Sequence, residues 1–530
     1  MSVTIKNGFK TVLLAALMAG LPLAPGLGRA APGDRQALPA LGDATSEDLS
    51  VADERRLGDR IMSQILPDPD VVDDPLLQEY LDSLWQPLLA AARQRGDLTD
   101  ELDQHYAWKA FLVRDRTVNA FALPGGYIGV HLGLISVTGS SDELASVLAH
   151  ELSHVTQRHI ARSMATQRRQ SMLSLASLLL GVLAASRSPD AANAILTGGQ
   201  AVAMQGQLNF SRDMEREADR IGFSVLSGAG FDPGGMAHMF DHLQQASRLM
   251  DNNQYPYLRS HPLTTERIAE ARSRLGIGAL PVAEPPGAAA WLHAAMQGRV
   301  RALMDTRTES LRRLVNRQGA AEAGGREGIS ASPAALAEAY AASLAARRLK
   351  DRATEDSALA RARTLAAPYP GARRAVRILQ VESLLARGQA VEAGRLLETA
   401  EPDASRAGML LSCSVALAGS GPQAGLQPCA ETLQAWVAQH ADDSTAWTQL
   451  AQARERQGQP LAALRAQAEV QLAQGNTRGA LDRLRAGQQL ARSTRTIDSL
   501  EAAVIDTRLK RVEQLRREEM NEERNGDRAP

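Results

Sequence analysis

A chain of 530 residues is too long for one compact core and divides into two or three domains. Its 59 basic and 60 acidic residues nearly cancel, so nothing in the totals indicates nucleic-acid binding or strong attraction to acidic surfaces. An abundance of Ala, Leu, Arg and Gln, with only 4% aromatic residues, favours helix over sheet.

The N-terminus reads as an export signal over residues 1–30. Lys6 and Lys10 give it a positive start, Val12–Leu23 is apolar, and Gly28-Arg29-Ala30 offers small residues where a signal peptidase cuts. Pro22 and Pro25 break the apolar run, which is short for a bilayer span; an uncleaved anchor is the alternative. With no Cys near the cleavage site, a lipid anchor is not expected. The mature chain is expected to begin at Ala31 and to lie outside the cytoplasm, in the periplasm. Residues 31–50, polar and rich in Pro, Gly and Asp, read as a flexible leader.

Helical patterns follow over Glu54–Leu66 and Pro75–Arg95. Ala107–Arg114, Val118–Leu123 and Tyr127–His131 are strand-like, and Pro124-Gly125-Gly126 joins the last two as a hairpin. Then comes His150-Glu151-Leu152-Ser153-His154 within an apolar helical segment. On a helix, residues four apart share a face, so His150 and His154 can hold one metal ion. Glu151 is placed to take a proton from a metal-activated water. Leu144, Val147, Leu148 and Val155 argue that this helix is buried.

Two histidines do not complete such a site. A third His six residues after the second would do so, but Ile160 stands there, with His159 one residue early and no Gly between. His159 is then a surface residue or a supporting one. The other solution is a Glu from a later helix. In Ser211-Arg-Asp-Met-Glu215-Arg-Glu217-Ala-Asp219, Glu215 and Asp219 share a face. Glu215 can complete the metal site while Asp219 hydrogen-bonds a ligand histidine; Glu217 faces elsewhere and is the weaker candidate.

Met172–Ala185 is the most apolar stretch of the mature chain, about fourteen residues and too short to span a membrane. It reads as a buried helix, with a plug over the site or a peripheral membrane contact as alternatives. Pro281–Ala289 is rich in Pro, Ala, Gly and Glu and reads as a linker, which leaves a domain over residues 51–280 before it. From Ala290 to about Arg517 the chain is helical. Gly388, Gly421 and Gly458 recur near the period of about 34 residues of tetratricopeptide repeats. Ala393 and Ala463 follow five residues after two of these glycines, and Gly475 with Ala480 repeats that spacing out of register. The fold class expected is mainly α: a zincin-like domain of the Glu-ligand type with a small β-sheet, followed by an α-solenoid of tetratricopeptide-like repeats over 290–517. Cys413 and Cys429 lie near facing helix ends, where export permits a disulfide. Residues 518–530 form a charged tail that is expected to fray.

Asn119-Ala-Phe-Ala-Leu-Pro-Gly-Gly-Tyr-Ile128, His150-Glu151-x-x-His154 and Ser211-Arg-x-x-Glu215-x-x-Ala-Asp219 together resemble the metallopeptidase family that includes HtpX and the CAAX prenyl proteases. The export signal, the lack of transmembrane helices and the helical C-terminal half look closest to the periplasmic branch that assists β-barrel assembly. The resemblance covers roughly residues 45–280 by motif and the remainder by architecture only. It implies one Zn²⁺ held by His150, His154 and Glu215, with Glu151 as the catalytic base. It gives His261, in Arg259-Ser-His261-Pro-Leu263-Thr-Thr-Glu-Arg267, a role as a removable fourth ligand that keeps the site latent, with a loop-capping residue as the alternative from sequence alone, and Arg267 a role at the oxyanion or in supporting the loop.

The strand of Asn119, Ala120, Phe121, Ala122 and Leu123 offers an edge for an extended substrate. Partners expected are unfolded or misassembled outer-membrane and envelope proteins, and outer-membrane assembly machinery docked on the repeats. The competing reading is a chaperone or scaffold with a mostly latent metal site.

Overall fold

The computed structural model describes residues 49–166, 211–249, 255–275, 286–323, 331–419, 425–493 and 498–526. The export signal, most of the leader, the apolar stretch 172–185, Gly421 and residues 281–285 lie outside them. Among the described residues the chain divides into two compact units, one made of 49–60 with Leu76–Val376, the other of Ile61–Pro75 with Arg377 onward.

Helix α1 (Val51–Ile65) begins in the first unit and strand β1 (Val71–Val72) belongs to the second; helix α2 (Pro75–Arg95) and helix α3 (Asp100–His105) follow in the first. Leu77, Leu81, Trp85 and Leu88 recur at helical spacing along α2 and are essentially inaccessible, so its apolar stripe is core. Strand β2 (Lys109–Val113) runs parallel to β4 (Tyr127–His131), and β3 (Ala120–Leu123) pairs antiparallel on the other side of β4, with Ala120 opposite Val130 and Leu123 opposite Tyr127. Pro124-Gly125-Gly126 makes the β3–β4 hairpin turn, as the sequence predicts. β4 is buried along its whole length, which places β3 at the outer position.

Helix α4 (Leu132–Val137) leads from β4 into α5 (Ser141–Thr156). A helix over 211–228, α6 (Gly234–Leu249), the short α7 (Tyr257–Ser260) and α8 (Thr265–Arg274) complete the surroundings of α5. The same unit continues through α9 (Ala288–Met304), α10 (Thr308–Ala323), α11 (Pro333–Leu349), α12 (Arg352–Ala366) and into α13 (Pro370–Ala386). It therefore runs past 281–289, read above as the linker that closes this domain. The reason lies in α9. Trp291, Met296 and Val300 are buried; His293 Nε2 donates to the Thr138 carbonyl at 3.1 Å and Gln297 Nε2 donates to the same oxygen at 2.6 Å. The Tyr80 hydroxyl meets His293 Nδ1 at 2.6 Å. Helix α9 thus covers the end of α4 just before α5 begins.

The second unit is a run of helices: α14 (Ala390–Glu398), α15 (Arg406–Ala418), α16 (Leu426–Gln439), α17 (Ser444–Arg456), α18 (Pro460–Ala473), α19 (Thr477–Ser493) and α20 (Ser499–Gly526). Gly388, Gly458 and Gly475 each sit between two helices at φ between 72° and 75°, a conformation that favours Gly, and Ala393, Ala463 and Ala480 are buried behind them. Leu410, Leu433, Trp447 and Leu450 form one layer of core, and Leu484, Ile505, Leu509 and Val512 the next. A disulfide joins Cys413 of α15 to Cys429 of α16, with their Cα atoms 5.2 Å apart.

Within the charged tail, α20 continues through Gly526. Pairing along the helix carries it, since Gln514 donates to Glu518 at 2.8 Å and Arg516 to Glu519 at 3.1 Å. Glu519 is also tied to the Thr477 hydroxyl at 2.8 Å.

Candidate metal centre

Helix α5 starts from a sequence-encoded cap. The Ser140 hydroxyl accepts from the Glu143 amide at 3.1 Å, and the Glu143 carboxylate reaches back to the Gly139 amide at 2.7 Å. Every residue from Leu144 to Thr156 is buried, so His150, Glu151 and His154 project into protein rather than solvent. The 211–228 helix crosses α5 closely at Gly222. A Cβ there would stand 3.2 Å from the backbone of Ala149 and His150. That approach brings Glu215 and Asp219, one and two turns earlier, against His150.

The donor atoms converge. His150 Nε2 is 3.0 Å from His154 Nε2, 3.3 Å from His261 Nδ1 and 3.4 Å from Glu215 Oε2. Glu215 Oε1 lies 3.5 Å from His154 Nε2 and 3.0 Å from His261 Nδ1. One donor atom from each of these four residues fits within a mutual distance of 4.8 Å, and all four residues are buried. Tetrahedral ligands with metal bonds of about 2.0–2.1 Å stand roughly 3.3 Å apart, so the residues present fit a zinc ion. His150 Nε2 and His154 Nε2 stand 3.0 Å apart, a spacing that a proton on His150 or a shared cation satisfies. Glu151 Oε1 is buried without a hydrogen-bond donor, with His261 Nε2 3.5 Å away.

The surrounding carboxylates favour a positive charge at this point, whether a proton on His150 or a bound cation. His150 Nδ1 lies 3.0 Å from Asp219 Oδ1. Burial works against a charged His150, but Asp219 and Glu215 outweigh it and raise its pKa to about 9. Burial, reinforced by His150 and His261, holds His154 well below the ordinary imidazole value. Burial likewise opposes ionisation of Glu215, yet His150 and His261 keep it far below the usual carboxylate range. Asp219 is also held down, against burial, by Arg267 and His150.

Arg267, from α8, is fully engaged. Its Nε and Nη2 donate to Asp219 at 2.6 and 2.8 Å, its Nη1 donates to the Pro262 carbonyl at 2.9 Å and lies 2.9 Å from Glu215, and its guanidinium stacks on Phe240. That geometry supports the loop carrying His261. His261 itself caps α7, and its ring packs against Tyr257 with centroids 4.7 Å apart. Asn119 stands at the head of β3, accepting from the His131 amide at 3.0 Å, with its side-chain carbonyl buried and unpartnered.

Sequence reasoning assigned no task to Gly222, Tyr257 or Arg158, and left His159 between two roles. His159 is buried against His154, and Glu217 pairs with His159 rather than with the donor set. On a regular helix His159 points away from His154. What redirects it is Arg158 at φ 52°, a residue type with no propensity for that backbone conformation, so composition gives no warning.

Residues 75–275 match peptidase family M48. The chain is 38% identical over 271 residues to the putative β-barrel assembly-enhancing protease of Vibrio cholerae, a stretch that is 50% of this chain and 52% of that protein. It is 36% identical over 270 residues to the β-barrel assembly-enhancing protease of Escherichia coli, covering 51% and 52%. It is also 34% identical over 161 residues to the mitochondrial metalloendopeptidase OMA1 of Schizosaccharomyces pombe, covering 30% and 44%. The chain thus spans about half the length of the β-barrel assembly-enhancing proteases it matches. Over residues 75–275 the chain is thus similar to the proteins of peptidase family M48.

Proposed function

We propose that this chain is a periplasmic zinc endopeptidase that cuts misfolded or stalled outer-membrane and envelope proteins, with its helical C-terminal region, read as tetratricopeptide-like, docking substrates or assembly machinery. The observation that carries the reading is the convergence of His150, His154, Glu215 and His261 beside the buried Glu151. His150, His154 and Glu215 hold the zinc. Bound there, zinc polarises a scissile carbonyl and lowers the pKa of water toward neutrality. Glu151 takes the proton of the attacking water and returns it to the leaving amine. Asp219 keeps His150 in the tautomer that aims Nε2 inward. Strand β3 pairs with an extended substrate backbone, a geometry that selects unfolded segments over folded ones. The names of the bacterial relatives favour outer-membrane proteins as the substrate class. The export signal and the Cys413–Cys429 disulfide favour an oxidising compartment outside the cytoplasm.

His261 Nδ1 stands among the donors while its Nε2 faces Glu151, a position that a substrate has to clear. This favours a latent enzyme, and it is the observation behind the second reading, a chaperone or scaffold whose metal site seldom opens. Glu151→Gln separates the two. The variant is expected to keep zinc and lose cleavage of an unfolded outer-membrane protein; if it still supports every envelope phenotype, proteolysis is not the physiological task. His261→Ala is expected to raise proteolysis, and unchanged or lost activity removes the latch.

A further inference from the structure

Each imidazole ligand on α5 has a second nitrogen turned away from the donor set. That of His150 faces Asp219 at 3.0 Å. That of His154, Nδ1, faces Nδ1 of His159 at 2.8 Å. The far nitrogen of His159, Nε2, lies 3.0 Å from Glu217 Oε2, and the same oxygen accepts from Arg162 Nη1 at 2.8 Å. His159 is 3% exposed, so water offers it no alternative partner.

The proton count in this chain has one consistent solution. If His154 aims its Nε2 lone pair at a metal, its proton sits on Nδ1 and is donated to His159 Nδ1. His159 then carries its own proton on Nε2 and donates it to Glu217. Both rings are neutral and no donor or acceptor is left over. In the reverse order, His159 donates through Nδ1, the His154 proton moves to Nε2, and His154 ceases to be a ligand.

The backbone is bent to permit this contact. On a continuous helix a residue five positions after His154 points about 140° away from it. The chain instead turns at Arg158, whose backbone is left-handed at φ 52°. Arg158 is held there by Glu54, through Nε at 2.9 Å and Nη2 at 2.7 Å, and by the Leu49 carbonyl. A strained residue anchored from another element, one position before a buried histidine, is the local geometry that turns His159 back onto His154.

We propose that His159, oriented by Glu217 and Arg162, is the positioning residue for His154, fixing its tautomer and ring plane as Asp219 does for His150. Its anchor is a partly exposed carboxylate shared with an arginine, so the His154 arm is supported through a neutral relay and not by direct contact with an anion. The inference rests on the metal-centre reading above.

The test is zinc affinity of the full chain by chelator competition, with the thermal midpoint of the metal-free protein measured in parallel. Wild type is expected to bind one zinc and Glu215→Gln to lose tight binding. His159→Phe is expected to raise the zinc Kd 10–100-fold. His159→Gln, whose amide accepts from His154 and donates to Glu217, is expected to restore most of that loss, which a purely structural role would not predict. Glu217→Gln, at a partly exposed position, is expected to weaken zinc several-fold and reports the relay even if the Phe variant does not fold. Variants at His159 and Glu217 that bind zinc within two-fold of wild type, or a Gln variant as weak as Phe, overturn the inference alone. A wild type that binds no zinc, or tight zinc in Glu215→Gln, overturns the metal-centre reading itself.

Discussion

Replacing Arg267 by Met keeps most of the side-chain volume and removes the charge. In the native protein Arg267 makes two hydrogen bonds to Asp219, lies 2.9 Å from Glu215 and donates to the Pro262 carbonyl at 2.9 Å. Asp219 is 2% exposed and Glu215 5%, so neither carboxylate can recover its solvation. Removing one partner of a buried ion pair costs about 3–5 kcal/mol, because a charge is left uncompensated. For a domain of this size, 3 kcal/mol lowers the melting temperature by roughly 6–12 °C. The sign with pH follows from the carboxylates. Both are held below their unfolded pKa values, so their contribution is complete above those values and lost as pH falls through the carboxylate range. The difference between variant and wild type should therefore be largest near neutrality and shrink in acid. Calorimetry in chelator at pH 7 measures it, and a repeat in excess zinc should show a smaller difference, because a cation beside Glu215 replaces part of the lost charge. A loss below about 1 kcal/mol in chelator, or one that grows on adding zinc, refutes the argument.

Other outcomes follow from the packing and the linkage. A chain ending at residue 280 should be insoluble or unfolded while one ending at 376 folds, because burying Trp291, Met296 and Val300 contributes about 1.5–3 kcal/mol each; limited proteolysis of the two fragments decides it. Replacing Cys413 and Cys429 together by Ser should cost the helical unit about 3 kcal/mol, the loop-closure value for a loop near 15 residues, and denaturant unfolding under oxidising and reducing conditions should show it. Burial lowers the pKa of His293, so the unfolded chain takes up a proton first as pH falls below about 6.5. Stability then falls by up to about 1.4 kcal/mol per pH unit until the folded state is protonated too, and His293→Gln should flatten that part of the profile.

The convergence of His150, His154 and Glu215 was legible because residues four apart on a helix share a face. His150, Glu151 and His154 stand on one helix, and Glu215 with Asp219 repeats the i, i+4 spacing on another, so each half of the site is a local pattern. The β3–β4 hairpin was legible for the same kind of reason, since Pro124-Gly125-Gly126 interrupts two alternating runs. The extent of the first unit was not. Helix α9 resembles the helices that follow it in composition, and only its burial against α4 and the hydrogen bonds of His293 and Gln297 to Thr138 assign it to the first unit. The persistence of α20 through Gly526 was not legible because a charged segment reads as solvated until the pairing partners along its face are known.

The His-Glu-x-x-His helix, the later Glu and Asp on one helical face, the hairpin and the glycine-punctuated helices of the C-terminal half were determined by the sequence itself, because each depends on spacing within a few residues. The tertiary structure decided how the groups around the four converging side chains meet them. Arg267 is committed to Asp219, Glu215 and the Pro262 carbonyl; His261 stands among the donors; and His159 is turned onto His154 by a left-handed Arg158 that Glu54 holds from about a hundred residues away. These arrangements depend on contacts between distant segments and on one strained backbone angle, and neither leaves a periodic trace in the chain.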